Sequence, residues 1–423
     1  MSFNFLQMRQ FPIAYFILVL LVSACGQPNN TSRQIQPVVT TAYTAQQRTP
    51  EIVMQPEFYA TQDSLHFFLR FEDIQQAVEV AKSAAMLTFD VRSGQAERDP
   101  LLFQDSVILG KKLTDAEGQL YVQIALEKQY IKEPNVLHVR LWQKQGTQDQ
   151  LGMKQKVALK VAMLRKNYLL TFAKDGKPVF KPYIRSTDKL QVRRFSESTD
   201  TMQIHRFASD FATALPPMSA KQPAALPKKV ALDTLFAATN DTLQFSEEGL
   251  YVLAPGSGFS KAILVKAAAY PQLTTSKEML EPLIYLTTSA ERQKLLQATN
   301  TKKAIDEFWL GISENKAQAR ELIREFYLRV EAANRLYTSH KPGWATDQGM
   351  IYIIFGKPAN ISYAGANTTW VYRQSETSPN MRFVFTKKED NFTENNYELV
   401  RRREYEESWY NTVAKWRAGI TNL

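Results

Sequence analysis

The sequence predicts a multidomain protein, mainly β and then α+β. Two N-terminal β-sandwich (Ig-like) domains are followed by a helical segment and a C-terminal α+β domain with an antiparallel sheet. Three observations carry this expectation. Apolar residues alternate with period two from about 51 to 165, and a second strand-rich stretch runs over 166–271. At about 272 the spacing changes to the three-and-four pattern of amphipathic helices, and it returns to strands after 340. A hydrophobic content of 44%, with 24 Phe, is enough to fill such cores.

Residues 1–24 come first. Arg9 precedes the apolar run Phe11–Val22, and small residues lead into Cys25, the only cysteine. A basic start, a short apolar core and small residues at a cleavage point are the parts of a secretory signal peptide. The apolar run is well short of the roughly 20 residues that cross a bilayer. The run Leu21-Val22-Ser23-Ala24-Cys25 resembles a bacterial lipobox. That resemblance implies a diacylglycerol on the Cys25 thiol, cleavage before Cys25, and acylation of the new amine with a chain such as palmitate. More than one chain is what stable anchoring needs. With Cys25 lipidated, no thiol remains for disulfides, so the domains rely on core burial. Residues 25–50 are rich in Gln, Asn, Thr and Ser and predict a flexible tether. No acidic cluster follows Cys25. In Bacteroidetes-like lipoproteins such clusters accompany export to the surface, so the expectation is a protein held on the periplasmic face of the outer membrane.

In 51–165, one face is built from Leu65, Phe67, Leu69 and Phe71, then Leu120, Val122, Ile124 and Leu126, then Leu137, Val139 and Leu141, then Val157, Leu159, Val161 and Met163. Six or seven half-buried antiparallel strands follow from this. In 166–271 the candidate strands are 168–172, 190–195, 202–207, 242–245, 250–253 and 261–266, with Asp175-Gly176 as a hairpin turn. Pro216–Pro227 reads as an exposed loop. In 272–340, Thr288-Ser289-Ala290-Glu291 fits a capping box and Pro282 delimits the first helical piece. Ala319, Leu322, Ile323, Phe326, Val330, Ala333 and Tyr337 form the stripe of a long helix. In 341–423, strands are predicted at 350–355, 369–373, 382–385 and 397–402, and a terminal helix at 404–417.

Residues 343–358 read Gly-Trp-Ala-Thr-Asp-Gln-Gly-Met-Ile-Tyr-Ile-Ile-Phe-Gly-Lys-Pro. Gly343, Trp344, Thr346, Asp347, Gly349, Tyr352, Gly356 and Pro358 fall in register with the signature of the GWxTD-domain family, which this segment resembles. Glu307-Phe308-Trp309, the helix end Ala333–Tyr337, and Trp370-Val371-Tyr372 extend the likeness over about 272–423. Gln348 and the segment 311–316 depart from the family pattern. The resemblance implies an envelope protein and brings no settled activity. From the residues alone the motif reads as architecture. Trp344 anchors a loop, Thr346 and Asp347 bond nearby backbone in a turn, and Gly349 takes positive φ on the way into a strand.

The chemistry-bearing alternatives are few. Asp347 with Trp344, Tyr352, Trp370 and His340 would make a sugar site; hydrolysis would need a second carboxylate roughly 5–10 Å away, for which Glu307 and Glu331 are the nearest guesses. His66, His138 and His205 sit at polar-reading strand positions and are expected to be solvated. No metal-ligand spacing, nucleophile elbow or phosphate loop occurs, so neither a metal nor a cofactor is expected. Asp followed by Ser or Thr and an apolar residue recurs at Ser64, Ser106, Thr201, Thr234 and Thr242. This resembles the O-glycosylation sequon of Bacteroidetes exported proteins, and equally fits turns leading into strands. Net charge is +10, densest at Arg401-Arg402-Arg403, and reads first as a solvated basic surface. The expected partners are the membrane, through the lipid, and an envelope protein, with a glycan as the alternative. Nucleic acid is not expected for an exported chain.

Overall fold

The computed structural model describes residues 54–420, except 72–77, 79–84, 117, 146–147, 196–200, 209–210, 221–232, 239–240, 255–258, 365, 374–379, 389–392 and 394. The expected signal, the tether and Cys25 lie outside the described residues. The described chain is rich in antiparallel sheet, and its longer helices gather towards the C-terminus.

The first two sheets pack face to face. One has the order β1 (Met54–Ala60), β2 (Ser64–Phe71), β6 (Gln119–Glu127), β5 (Thr114–Ala116). The other has the order β4 (Leu101–Ile108), β3 (Met86–Arg92), β7 (Val136–Gln145), β8 (Gln148–Ala158). The predicted alternation is what fills the space between them. Leu65, Phe67 and Leu69 meet Leu87, Phe89 and Val91, with Val122, Ile124, Leu137 and Val139, all buried in one cluster. The strand predicted over 157–163 stops at Ala158. Beyond it the Leu159 amide bonds to the Asn135 carbonyl at 2.9 Å, and Val161–Arg165 form a 3-10 turn. His138 is a further correction. It is fully buried rather than solvated, with Nε2 3.3 Å from the Gly94 carbonyl oxygen.

The next unit has a five-stranded sheet in the order β10 (Tyr183–Arg185), β16 (Lys261–Lys266), β15 (Gly249–Leu253), β12 (Met202–Phe207), β13 (Asp233–Ala237). Against it lies a three-stranded sheet in the order β14 (Thr242–Gln244), β11 (Lys189–Arg194), β9 (Tyr168–Phe172). Only β10–β16 is parallel among these pairs. Gly176 turns the chain after β9 with φ +69°, and its amide bonds to the Phe172 carbonyl at 2.8 Å. The short β10 and the outward-facing β13 were beyond the alternation rule, because neither shows a clean apolar face.

These two β units share a joint. Tyr59, Phe68, Ala116, Tyr121, Leu169 and Phe180 form one buried cluster across it. The Ala60 amide bonds to the Lys166 carbonyl at 2.7 Å. Lys261 meets Glu57 at 2.7 Å and Lys166 meets it at 3.8 Å. Burial alone would raise the Glu57 carboxyl, but the two ammonium groups hold it below its ordinary value.

The C-terminal unit carries α1 (Ser276–Leu280), α2 (Ser289–Gln297), α3 (Thr301–Gly311), α4 (Lys316–Tyr337), α5 (Asp347–Phe355) and α6 (Glu406–Arg417). Its sheet has the order β17 (Asn360–Ala364), β18 (Asn367–Tyr372), β19 (Met381–Lys387), β20 (Tyr397–Leu399), all antiparallel. Thr288 and Glu291 form the predicted capping box at the start of α2. Leu322, Phe326 and Val330 of α4 are fully buried, at about 1.5–3 kcal/mol each. They pack with Trp309, Trp344, Trp370, Trp409 and Trp416 in one core.

The strand predicted at 350–355 is instead the helix α5. Its residues are apolar on every side, so periodicity cannot separate a buried helix from a buried strand. Its ends decide. Thr346 caps the N-terminus, its hydroxyl accepting the Gly349 amide at 3.0 Å, and Gly356 leaves the C-terminus at φ +77°. The predicted strand at 397–402 ends at Leu399.

Candidate functional site

The motif is a buried junction between the end of α4, a 3-10 turn at Gly343–Ala345 and the start of α5. Backbone runs against backbone there. A Cβ on Gly343 would lie 1.9 Å from the Ala333 carbonyl oxygen, and one on Gly349 would lie 1.8 Å from that of Gly343. Both positions therefore demand glycine for close approach. Gly349 does so with ordinary helical backbone, which corrects the expected positive φ.

Polar side chains pin the junction from within α4. Asn334 accepts the Trp344 amide on Oδ1 at 3.0 Å and donates from Nδ2 to the Pro271 carbonyl at 3.1 Å. The Thr338 hydroxyl accepts the Gly343 amide at 3.1 Å and shares a hydrogen bond with the Tyr270 phenol. The Tyr285 phenol donates to the Trp344 carbonyl at 3.0 Å. Burial pushes both phenols, Tyr270 and Tyr285, well above the ordinary tyrosine range. Thr346 donates to the Gly343 carbonyl at 2.7 Å while capping α5. Thr338, Tyr270 and Tyr285 were not singled out by sequence, and Asn334 only within the helix end Ala333–Tyr337 that carries the likeness.

Asp347 does not close a local turn, contrary to the expectation. Its Oδ2 accepts the Leu399 amide at 2.7 Å and Arg401 Nη1 at 3.0 Å, and its Oδ1 accepts Arg401 Nη2 at 2.6 Å. The Asp347 and Arg401 side chains are each 8% exposed. The pair is thus a buried fork between the first turn of α5 and the chain leaving β20. The same Arg401 Nη2 donates to the Leu215 carbonyl at 3.0 Å. Arg401 is therefore no part of a solvated basic run; its neighbours Arg402 and Arg403 are, with side chains 49% and 95% exposed.

The segment 211–219 reaches this place from the second β unit. It overlaps the loop expected at Pro216–Pro227 only over 216–219, where Pro217 is buried on the junction rather than exposed. The Ala214 amide bonds to the Ala345 carbonyl at 2.9 Å, and the Arg402 amide to the Pro217 carbonyl at 3.0 Å. Lys341 Nζ donates to the Ala212 carbonyl at 2.8 Å. Burial lowers the Lys341 ammonium, with Asp347 opposing.

The remaining candidates scatter. Trp344 is 7% exposed and Trp370 1%, so neither ring face meets solvent. Trp370 packs in the core at a tilt against Tyr337 and Phe385, and Tyr352 lies beside Tyr337 at 5.5 Å. Gly356 and Pro358 are buried where α5 ends, and the Tyr372 phenol bonds to the Gly356 carbonyl. His340 is buried, its ring 4.6 Å from that of Phe211. Glu307 is exposed and 3.8 Å from Lys303; Glu331 is half-buried on α4. Ser106, Thr201, Thr234 and Thr242 are exposed, and Ser64 is half-buried at the start of β2. Among the described residues, no three His, Cys, Asp or Glu side chains gather as metal ligands, and no helix is long and apolar enough to cross a membrane.

No curated protein matches the chain. Residues 249–418 match the family model of the GWxTD domain, a span that takes in β15, β16 and the α4–α5 turn described above.

Proposed function

We propose that this chain is a lipid-anchored envelope protein in which the GWxTD domain is a non-enzymatic protein-interaction module and the β units are spacers or docking surfaces. The observation that carries the reading is the use of Asp347. The motif's one carboxylate is buried and engaged by the Leu399 amide and the Arg401 guanidinium. A general acid or base needs a proton to exchange with substrate, and these bonds hold the oxygens elsewhere. A glycan site would want an aromatic face open to solvent, and Trp344 and Trp370 are both buried.

The anchoring half of the proposal rests on the lipobox-like run ending at Cys25. Its place would be the periplasmic face of the outer membrane. Two experiments test the reading. Replacing Cys25 by serine should move the protein from the membrane to the soluble fraction; unchanged sedimentation would remove the lipid. Mild crosslinking of the native protein should recover one reproducible envelope partner, and repeated recovery of none would remove the interaction role. Intact mass of the same material reads the five Ser/Thr positions. Mass beyond chain plus lipid would support their O-glycosylation, and its absence would remove it.

A further inference from the structure

The connection between β12 and β13 is out of scale. These strands are antiparallel neighbours, with Arg206 opposite Asp233, yet 25 residues, 208–232, join them. Hairpins ordinarily close in two to five. The described middle of that connection, Phe211–Ser219, crosses to the GWxTD junction rather than returning to its own sheet.

Its contacts have the form of a bound peptide. Ala214 and Pro217, three apart, are its buried residues; half-buried Phe211 lies beside His340 and packs also on Phe207, Leu250 and Val252, and half-buried Met218 packs against the C-terminal core. Over 211–215 the chain has no regular secondary structure and offers its backbone to the junction, ahead of a turn closed by the Ser219 amide on the Pro216 carbonyl at 3.0 Å. Four polar contacts use that backbone: Ala212, Leu215 and Pro217 through their carbonyls, Ala214 through its amide. The receiving side is His340, Lys341, Ala345, Arg401 and Arg402. Polar groups that read an extended main chain, with pockets for small side chains, are how proteins take extended peptides.

We propose that this face of the GWxTD domain is a peptide-recognition groove, filled in cis by residues 211–219. Its external ligand is a partner's extended, uncharged, proline-bearing segment that presents small apolar residues three apart. The inference deepens the interaction role proposed above and rests on it. Arg401 gives the groove its link to the motif, since one guanidinium holds both Asp347 and the Leu215 carbonyl. A tethered segment competes at an effective concentration of about millimolar, so the intact chain is a self-occupied form.

The test uses the full chain and a labelled peptide copying Phe211–Ser219. Two opened chains are made: one with 208–232 replaced by an Asn-Gly turn, one with Ala214→Glu, which cannot enter the space of a 6% exposed alanine. Fluorescence polarisation should show saturable binding to both opened chains, at least tenfold tighter than to the unaltered chain. A peptide carrying Ala214→Glu should not bind. Equal binding to opened and unaltered chains, or none to opened chains whose circular dichroism is native, overturns the proposal. A second reading needs no variant. In the unaltered chain, about millimolar peptide should speed hydrogen exchange of the Ala214 amide, and unchanged exchange there also overturns it. Either failure removes the groove alone; crosslinking reads the interaction role separately.

Discussion

Replacing Asp347 by asparagine keeps the side chain's shape and its acceptor for the Leu399 amide, and removes its charge. Arg401 would then sit as an unpaired cation in a site where its side chain is 8% exposed. Removing one partner of a buried pair costs about 3–5 kcal/mol, because the other charge stays desolvated. Fluorescence reports the right part of the molecule, since five of the six tryptophans (309, 344, 370, 409, 416) lie in the C-terminal unit. With a urea slope of about 2 kcal/mol/M for a unit of this size, the midpoint should fall by about 1.5–2.5 M. Adding Arg401→Met should recover much of the loss, because the double variant buries no unpaired charge. A midpoint shift under about 0.5 M would refute the reasoning. The pair would then have the worth of a surface ion pair, and the buried fork would not be what fixes α5 to β20.

Gly349→Ala should destabilise the same unit by about 3 kcal/mol or more in the same urea titration, since its Cβ meets backbone 1.8 Å away rather than a yielding side chain. Tyr270→Phe removes a phenol shared by Thr338 and Gly343 and should cost about 1–2 kcal/mol, with no change in the far-UV spectrum. Glu291 is held down to about 2, first by the hydrogen bond from Arg417. A depressed carboxyl stabilises above its unfolded pKa and loses that contribution as pH falls through the folded one. Both side chains are about a third exposed, so the contribution is discounted to about 1 kcal/mol. The urea midpoints of the native chain and Glu291→Gln should differ at pH 7 and converge between about pH 4.5 and 2; a constant gap would contradict the ion pair.

Local rules read this sequence well wherever structure is made locally. The capping box at Thr288 needs only four consecutive residues, and the stripe from Ala319 to Tyr337 needs only a period. The sandwich alternation from Leu65 to Leu141 is legible for the same reason. Helix α5 was not, because an all-apolar run carries no period; its Thr346 cap and Gly356 stop were present and outweighed by the β-branched isoleucines. Arg401 lies 54 positions from Asp347, and no short-range pattern distinguishes it from the exposed arginines that follow. His138 resembled a solvated strand residue because its burial comes from the Gly94 turn folding over it. Residues 216–219 read as loop because of their prolines, and 211–215 carry no period at all, so neither part showed what it lies on.

The joint between the two β units has a mechanical consequence. A hinge needs a few residues free to change φ and ψ, and here the crossing chain is fastened at Lys166, whose carbonyl takes the Ala60 amide. Interlocked rings from Tyr59 to Phe180 brace the same spot. Bending there would part these packed rings, so the joint resists hinge motion between the two β units. Lys261 of β16 is tied to Glu57 of β1 across the same joint, so a displacement of the first β unit bears on a strand of the matched span.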